Sequence, residues 1–159
     1  MPAVMFYGDI KGQCTVEGYK EGVDLTSMSF GATRPVTSAA GTSKDRVSAL
    51  AQPGSISLTK NLDNSDTLFF KEATSGKGTP VKIHVYKQGA SGAEELLQLE
   101  LTNSLVSQYN VSVGANGLPM VSMTIEYTKI EITQTSYTDE DIDAQPMRAG
   151  FDFAQGIPT

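Results

Sequence analysis

Few residues in this chain could do chemistry. His84 is the single histidine and Cys14 the single cysteine among 159 residues. One histidine excludes a His-rich metal site, and one cysteine excludes an internal disulfide. Cys14 follows Lys11-Gly12-Gln13 in a turn-like stretch with no histidine beside it, so a nucleophilic role has no local support. His84 lies on the polar side of an alternating segment and reads as a solvated side chain. A Ser–His–Asp triad would need partners brought in from distant parts of the chain.

Three further motifs fail on inspection. Ser75-Gly76-Lys77-Gly78 has the look of a phosphate loop, but Lys71 and Gly78 stand where Gly and Ser/Thr are required. Its glycines also follow a helical segment, whereas a phosphate cradle precedes one. Asp139, Asp141 and Asp143 have calcium-loop spacing, yet Ala144 replaces the turn glycine and Gly150 the bidentate glutamate. An acidic, solvated loop is the expectation there. Asn110-Val111-Ser112 matches a glycosylation acceptor but sits inside a strand-like run. No acid–base pair, metal cluster or cofactor cradle assembles from local motifs, so the expectation is a non-enzyme without cofactor.

Composition agrees with a building role. The net charge of −6 disfavours a sequence-independent grip on nucleic acid. Apolar residues make up 39% and charged ones 19%, and 15 glycines with no tryptophan suit a turn-rich β protein. The length fits one domain, 1–159, able to bury a core without staples. No run approaches the ~20 apolar residues that a membrane helix needs, and "MPAVMFYGDIKG" lacks the basic and apolar regions of a signal peptide.

The elements that must position these residues show a period of two. Strands are expected in "VMFYGDI", "VDLTSMSFG", "GSISLTK", "VKIHVYK", "ELLQLELT", "LVSQYNVSV", "MVSMTIEYTKIEIT" and "GFDFAQG". Met28, Phe30, Ile83, Val85, Leu97 and Leu99 are expected in the core, with Tyr109, Val111 and Val113 on a common face. In the longest run Val121, Met123, Ile125 and Tyr127 share one phase, but Ile130 and Ile132 take the other. A bulge near Thr128–Lys129 would produce that slip and bend the strand around a barrel corner. A long loop is expected over 31–54, and a short helix over about 65–75. Asp63 or Ser65 would cap that helix, Gly76 would end it in the left-handed conformation, and Leu68 and Phe69 would plug the barrel. Phe70 would stay partly available to a neighbour. The fold class is mainly β: a two-sheet barrel with one helix and an extended loop.

The span "SISLTKNLDNSDTLFFKEATSGK…VKIHVYKQG…LLQLELTNSLVS", with "GDIKG" and "VDLTSMSFG" before it, resembles the haemolysin-coregulated protein (Hcp) family of type VI secretion. The match runs in order through most of the chain and rests on the series of motifs. It departs from many members at "DNSDT", where Ser-Pro is common, and at Met28, where an aromatic residue is common. The resemblance implies a tail-tube-like barrel that forms homohexameric rings stacked into a hollow tube. Such a tube works with sheath and spike proteins, carries or chaperones effector proteins, assembles in the bacterial cytoplasm, and is secreted without a signal peptide. It implies neither nucleic-acid binding nor membrane insertion. On that reading Ser27, Ser29, His84, Gln98 and Glu100 are candidates for the lumen. Arg34, Pro35, Lys44, Asp45, Arg46 and Phe70 are candidates for contacts between subunits. The alternatives are a tube protein of a phage or another contractile machine, and a monomeric β-barrel ligand carrier.

Overall fold

Period-two patterning yields twelve strands and one helix across the residues that the computed structural model describes, 1–36, 50–135 and 146–159. In chain order they are β1 (Ala3–Tyr7), β2 (Val23–Leu25), β3 (Ser27–Ser29), β4 (Ala32–Thr33), β5 (Gln52–Pro53), β6 (Ile56–Asn61), α1 (Asp66–Ser75), β7 (Thr79–Gly89), β8 (Gly92–Ser112), β9 (Met120–Glu126), β10 (Lys129–Gln134), β11 (Met147–Asp152) and β12 (Ile157–Pro158). The two strands expected over "ELLQLELT" and "LVSQYNVSV" are one strand, β8, which runs through both sheets. Its first part pairs with β7 and β10, and its second part pairs with β9.

The first sheet therefore runs β12-β11-β10-β8-β7-β1-β2, and the second runs β3-β6-β9-β8, antiparallel throughout. Chain bends carry strands from one sheet to the other. Thr26 separates β2 from β3 and donates its N–H to the Thr59 carbonyl on β6 at 2.8 Å. Asn103, at φ 55°, marks the turn of β8 between its two sets of partners. Asparagine tolerates that left-handed conformation better than most residues. A side chain at Gly78 would collide with Asn103 Oδ1, so glycine is required where the chain leaving the helix crosses this corner.

The phase slip after Tyr127 resolves in the same way. It is not a bulge inside one strand. Residues 127 and 128 leave the second sheet after β9 and enter the first as β10, so Tyr127 and Ile130 both stay buried across the corner. A register shift does occur in the neighbouring strand, between Val106 and Gln108 of β8.

The space between the sheets is filled by Met5, Tyr7, Ile56, Leu58, Ile83, Leu99, Leu101, Met123 and Ile125, with Phe69 of α1 fully buried among them. Tyr7 and Phe69 meet edge to face at 5.6 Å. Met28, Val85, Leu97 and Tyr109 pack on the rim of this core. Phe30 does not join it and is exposed, because β3 ends at Ser29 and the chain turns away towards β4. Val111 and Val113 are exposed as well, because the end of β8 lies at the margin of the second sheet. On the helix, Phe69 plugs the core, but Leu68 faces outward. Gly76 is extended (φ −69°, ψ 160°), not left-handed, and closes the helix by donating its N–H to the Glu72 carbonyl at 2.9 Å. At the base of the long loop β4 and β5 form a two-stranded ladder, Ala32 opposite Pro53 and Thr33 opposite Gln52.

Candidate functional site

Two rows across the outer face of the second sheet carry one kind of side chain, with Glu126 of β9 beyond one end of them. Cross-strand register aligns Ser27, Thr59, Ser122 and Asn110 in one row, and Ser29, Ser57, Thr124 and Gln108 in the next. Every one is an uncharged hydroxyl or amide, and most are exposed. Ser27 Oγ and Thr59 Oγ1 bond across the strands at 2.5 Å. Beneath them the alternate residues of the same strands, Ile56, Leu58, Val121 and Met123, fill the core. Strand alternation therefore separates a dry side from a wet side whose two central rows are uncharged.

That sheet also has two unpaired edges among the described residues. β3 pairs only with β6, and the second half of β8 pairs only with β9. Along the β8 edge Leu105, Val111 and Val113 are exposed. Phe70 of α1 stands next to it, exposed and edge to face with Tyr109 at 6.1 Å. An open edge beside exposed apolar groups is a ready template for pairing with another chain.

The first sheet presents a different outer face. His84 lies opposite Gln98, and Lys82 opposite Glu100, on β7 and β8. Lys82 Nζ reaches Glu100 at 3.2 Å, and Gln98 Nε2 donates to Glu100 at 2.7 Å. Arg148 and Glu131 pair at 3.4 Å on β11 and β10. His84 is mostly buried, contrary to the solvated side chain that its strand position led one to expect, because Phe6 and Tyr19 cover it. Of the five residues proposed for one shared face, then, Ser27 and Ser29 stand together on the second sheet. His84, Gln98 and Glu100 stand on the first, with the core in between. Arg34 and Pro35 are exposed after β4. Lys44, Asp45 and Arg46, like Asp139, Asp141 and Asp143, lie outside the described residues.

A buried charge cluster holds α1 against the second sheet. Lys60 follows Ile56 and Leu58 on the core side of β6 and is fully buried. Its Nζ reaches Asp66 Oδ2 at 2.7 Å, Asp63 Oδ1 at 3.1 Å and the Asn61 carbonyl at 3.0 Å. Asp66 also accepts the Asp63 N–H at 2.6 Å and the Tyr109 hydroxyl at 3.2 Å. Ser65 occupies the N-cap position without capping through its own side chain. Instead Asp63 accepts the Ser65 N–H at 2.8 Å and its hydroxyl. Burial raises the Asp63 carboxyl, but the bonds from Ser65 and Lys60 outweigh it and hold the group below the usual range.

Among the described residues burial raises four phenols, Tyr7, Tyr86, Tyr109 and Tyr127, and Tyr7 and Tyr109 move furthest. Burial, with the Glu72 charge, pushes Tyr7 up to about 12. Burial and the Asp66 charge push Tyr109 up to about 12. Both folded values lie above the ordinary 10.0, so the stability these groups contribute is present below pH 10 and lost as pH rises from 10 towards 12. Urea midpoints are expected to hold steady up to pH ~9.5 and to fall beyond pH ~10. Tyr109→Phe is expected to show a shallower fall, read by urea titration beside tyrosinate absorbance.

Among the described residues no group of His, Cys, Asp and Glu could hold a metal ion, and no helix is long and apolar enough to cross a membrane. Burial raises the Cys14 thiol, and the side chain lies under the loop that follows β1.

Comparison with known proteins gives one consistent answer. The family model described as "Type VI secretion system effector, Hcp" matches residues 4–134. A solved "type six secretion system protein" superposes with TM-score 0.92 at 15% identity, covering 99% of both chains. Hcp1 from Salmonella typhimurium superposes with TM-score 0.78 at 16% identity, covering 100% of both chains. Hcp1 from the E. coli EAEC 042 pathovar superposes with TM-score 0.73 at 18% identity, covering 96% of this chain and 99% of its own. A sequence search of curated proteins finds no match.

Proposed function

The chain belongs to the Hcp family of type VI secretion proteins, and from that premise we propose that it is a structural tube subunit whose copies close into hexameric rings. Rings stack into a hollow tube that is exported and carries effector proteins. The subunit needs no cofactor and catalyses no reaction.

The observation that carries this reading is the second sheet, with two edges unpaired among the described residues and two uncharged rows of side chains across its outer face. A ring requires heterologous contacts, in which one surface meets a different surface of the next copy. The β3 edge and the β8 edge are two such surfaces. Joining them around a ring makes one continuous wall, and the Ser, Thr, Asn and Gln rows become its lining. Hydroxyls and amides offer weak, replaceable hydrogen bonds, so cargo can be held and still slide. On this reading Ser27 and Ser29 face the lumen. His84, Gln98 and Glu100 belong to the opposite wall, and the long loop over 31–54 with Phe70 serves contacts between copies.

The monomeric carrier is the weaker alternative, because bulky side chains fill the space between the sheets where a ligand would sit. Light scattering separates the two. A ring is expected at six times the 16.9 kDa chain mass. A species that stays at chain mass at every concentration tried would remove the tube reading. A tube protein of another contractile machine predicts the same mass and differs in its genomic neighbours.

A further inference from the structure

Outside the main core, a second small cluster lies on the outer face of the first sheet. Val4, Cys14 and Tyr86 are buried there, with Phe6, Val16 and Tyr19 packed around them. The cover is a strap, residues 11–22, tied at its neck by backbone bonds. Gly12 N–H donates to the Glu21 carbonyl at 2.8 Å, Cys14 N–H to Gly22 at 3.0 Å, and Glu21 N–H to Cys14 at 3.0 Å. The strap crosses β1 so closely that a side chain at Gly22 would strike Val4 Cγ1.

One residue fastens its far end. Tyr19 stacks on Tyr86 at 4.7 Å, lies 5.3 Å from the His84 ring, and donates its hydroxyl to Glu95 Oε2 at 3.2 Å. The same Oε2 sits 2.6 Å from His84 Nδ1, and Phe6 meets the His84 ring edge to face at 5.7 Å. Strap, β7 and β8 thus converge on a single carboxylate oxygen.

We propose that His84, Glu95 and Tyr19 form a proton-operated latch that holds the strap closed while the imidazole is cationic and loosens it once the imidazole is neutral. Imidazole is the side chain that ordinarily changes charge between pH 5 and 8, and this chain has only one. A cationic ring makes a charge-assisted bond to Glu95. A neutral ring can still donate from Nδ1 to the carboxylate, but the attraction between two full charges is gone. The other ionisable groups around the ring come from every packed element. β8 supplies Glu95 and, beyond Gln98, Glu100; β7 supplies Lys82 and Tyr86; β2 supplies Asp24 opposite Val4; the strap supplies Tyr19 and Cys14, while its Glu17, Lys20 and Glu21 are exposed and paired with each other or with Lys11. β1 brings only Val4 and Phe6 to this face. Ring formation plays no part in the inference.

Cys14 is a built-in reporter, since its thiol is buried under the strap and is the only one in the chain. The test is alkylation of Cys14 in the full chain by iodoacetamide at about pH 5.5 and pH 8. Each rate is divided by the rate for the urea-unfolded chain at the same pH, which removes the intrinsic thiol chemistry. Amide protection factors at Gly12, Cys14 and Glu21 give a parallel reading. Opening is expected to be roughly fivefold more frequent at the higher pH, and His84→Gln is expected to abolish the slope. A flat wild-type profile overturns the latch, as does an unchanged slope in His84→Gln. Should His84→Gln fail to fold, Glu95→Gln must lose the slope in its place. If neither variant folds, the wild-type profile alone decides.

Discussion

Replacing Lys60 by Ala is expected to lower unfolding free energy by about 3–5 kcal/mol, the usual cost of removing one partner of a buried ion pair. The side chain is 0% exposed and Asp66 only 5%, so water cannot take over the lost contacts without opening the fold. Two carboxylates would then share an apolar site with no cation, directly below the first turn of α1. The backbone N–H groups there favour negative charge, but a helix end contributes typically 0.3–1 kcal/mol, too little to compensate. The effect is far larger than for the exposed pair Lys11–Glu21, whose loss is expected to cost about 0–1 kcal/mol. Urea titration of both variants at one protein concentration makes the comparison, because assembly also contributes to apparent stability. A loss below about 1 kcal/mol for Lys60→Ala would mean that solvent reaches the cluster. Lys60→Met combined with Asp66→Leu is expected to recover part of the loss, since Asp63, still bonded by the Ser65 N–H and hydroxyl, is then the one carboxylate of the cluster left without its cation.

Lys60 also shows where the sequence could be read further than its alternation suggests. It occupies the same phase as Ile56 and Leu58, which marks an inward-pointing position, and Asp63 and Asp66 follow at three and six residues. A cation in an apolar phase with two acids shortly after is a legible sign of a buried pair. Strand faces were legible because burial follows the period of two. Ile83, Leu99, Val121, Met123 and Ile125 all lie where alternation puts them. Strand ends were not. Phe30, Val111 and Val113 continue the apolar phase beyond the point where the core stops, and only the sheet pairing says where that point is. The same limit explains the five residues assigned to one face. Alternation sorts each strand into two sides, but it does not say which strands share a sheet. Ser29 and His84 are equally polar-phase residues, and register places them on opposite walls. The corner at Tyr127 left its mark as a phase slip. Its cause, a change of pairing partner from β6 to β11, is a long-range fact that no local pattern contains.

Cysteine pairs placed on the two open edges are expected to turn the single chain band into a ladder of covalent multimers. Ser29 lies on β3 and Gln108 and Asn110 on β8, at opposite margins of the second sheet. Two intervening strands put those margins three spacings apart, about 14 Å. A disulfide needs Cα atoms within about 7 Å, so neither pair can close inside one molecule. A bond forms only if the β3 edge of one copy meets the β8 edge of the next. The register between copies is open by one side-chain repeat, so Ser29→Cys is combined with Gln108→Cys in one variant and with Asn110→Cys in another. Cys14 is buried and does not compete. Under mild oxidation the matching pair is expected to give steps up to a closed ring, and reduction returns one band. The non-matching pair and each single variant are expected to stay largely monomeric on the gel. Rings of full mass without a ladder from either pair would show that copies associate through other surfaces, and the neutral rows would then no longer be a lumen lining.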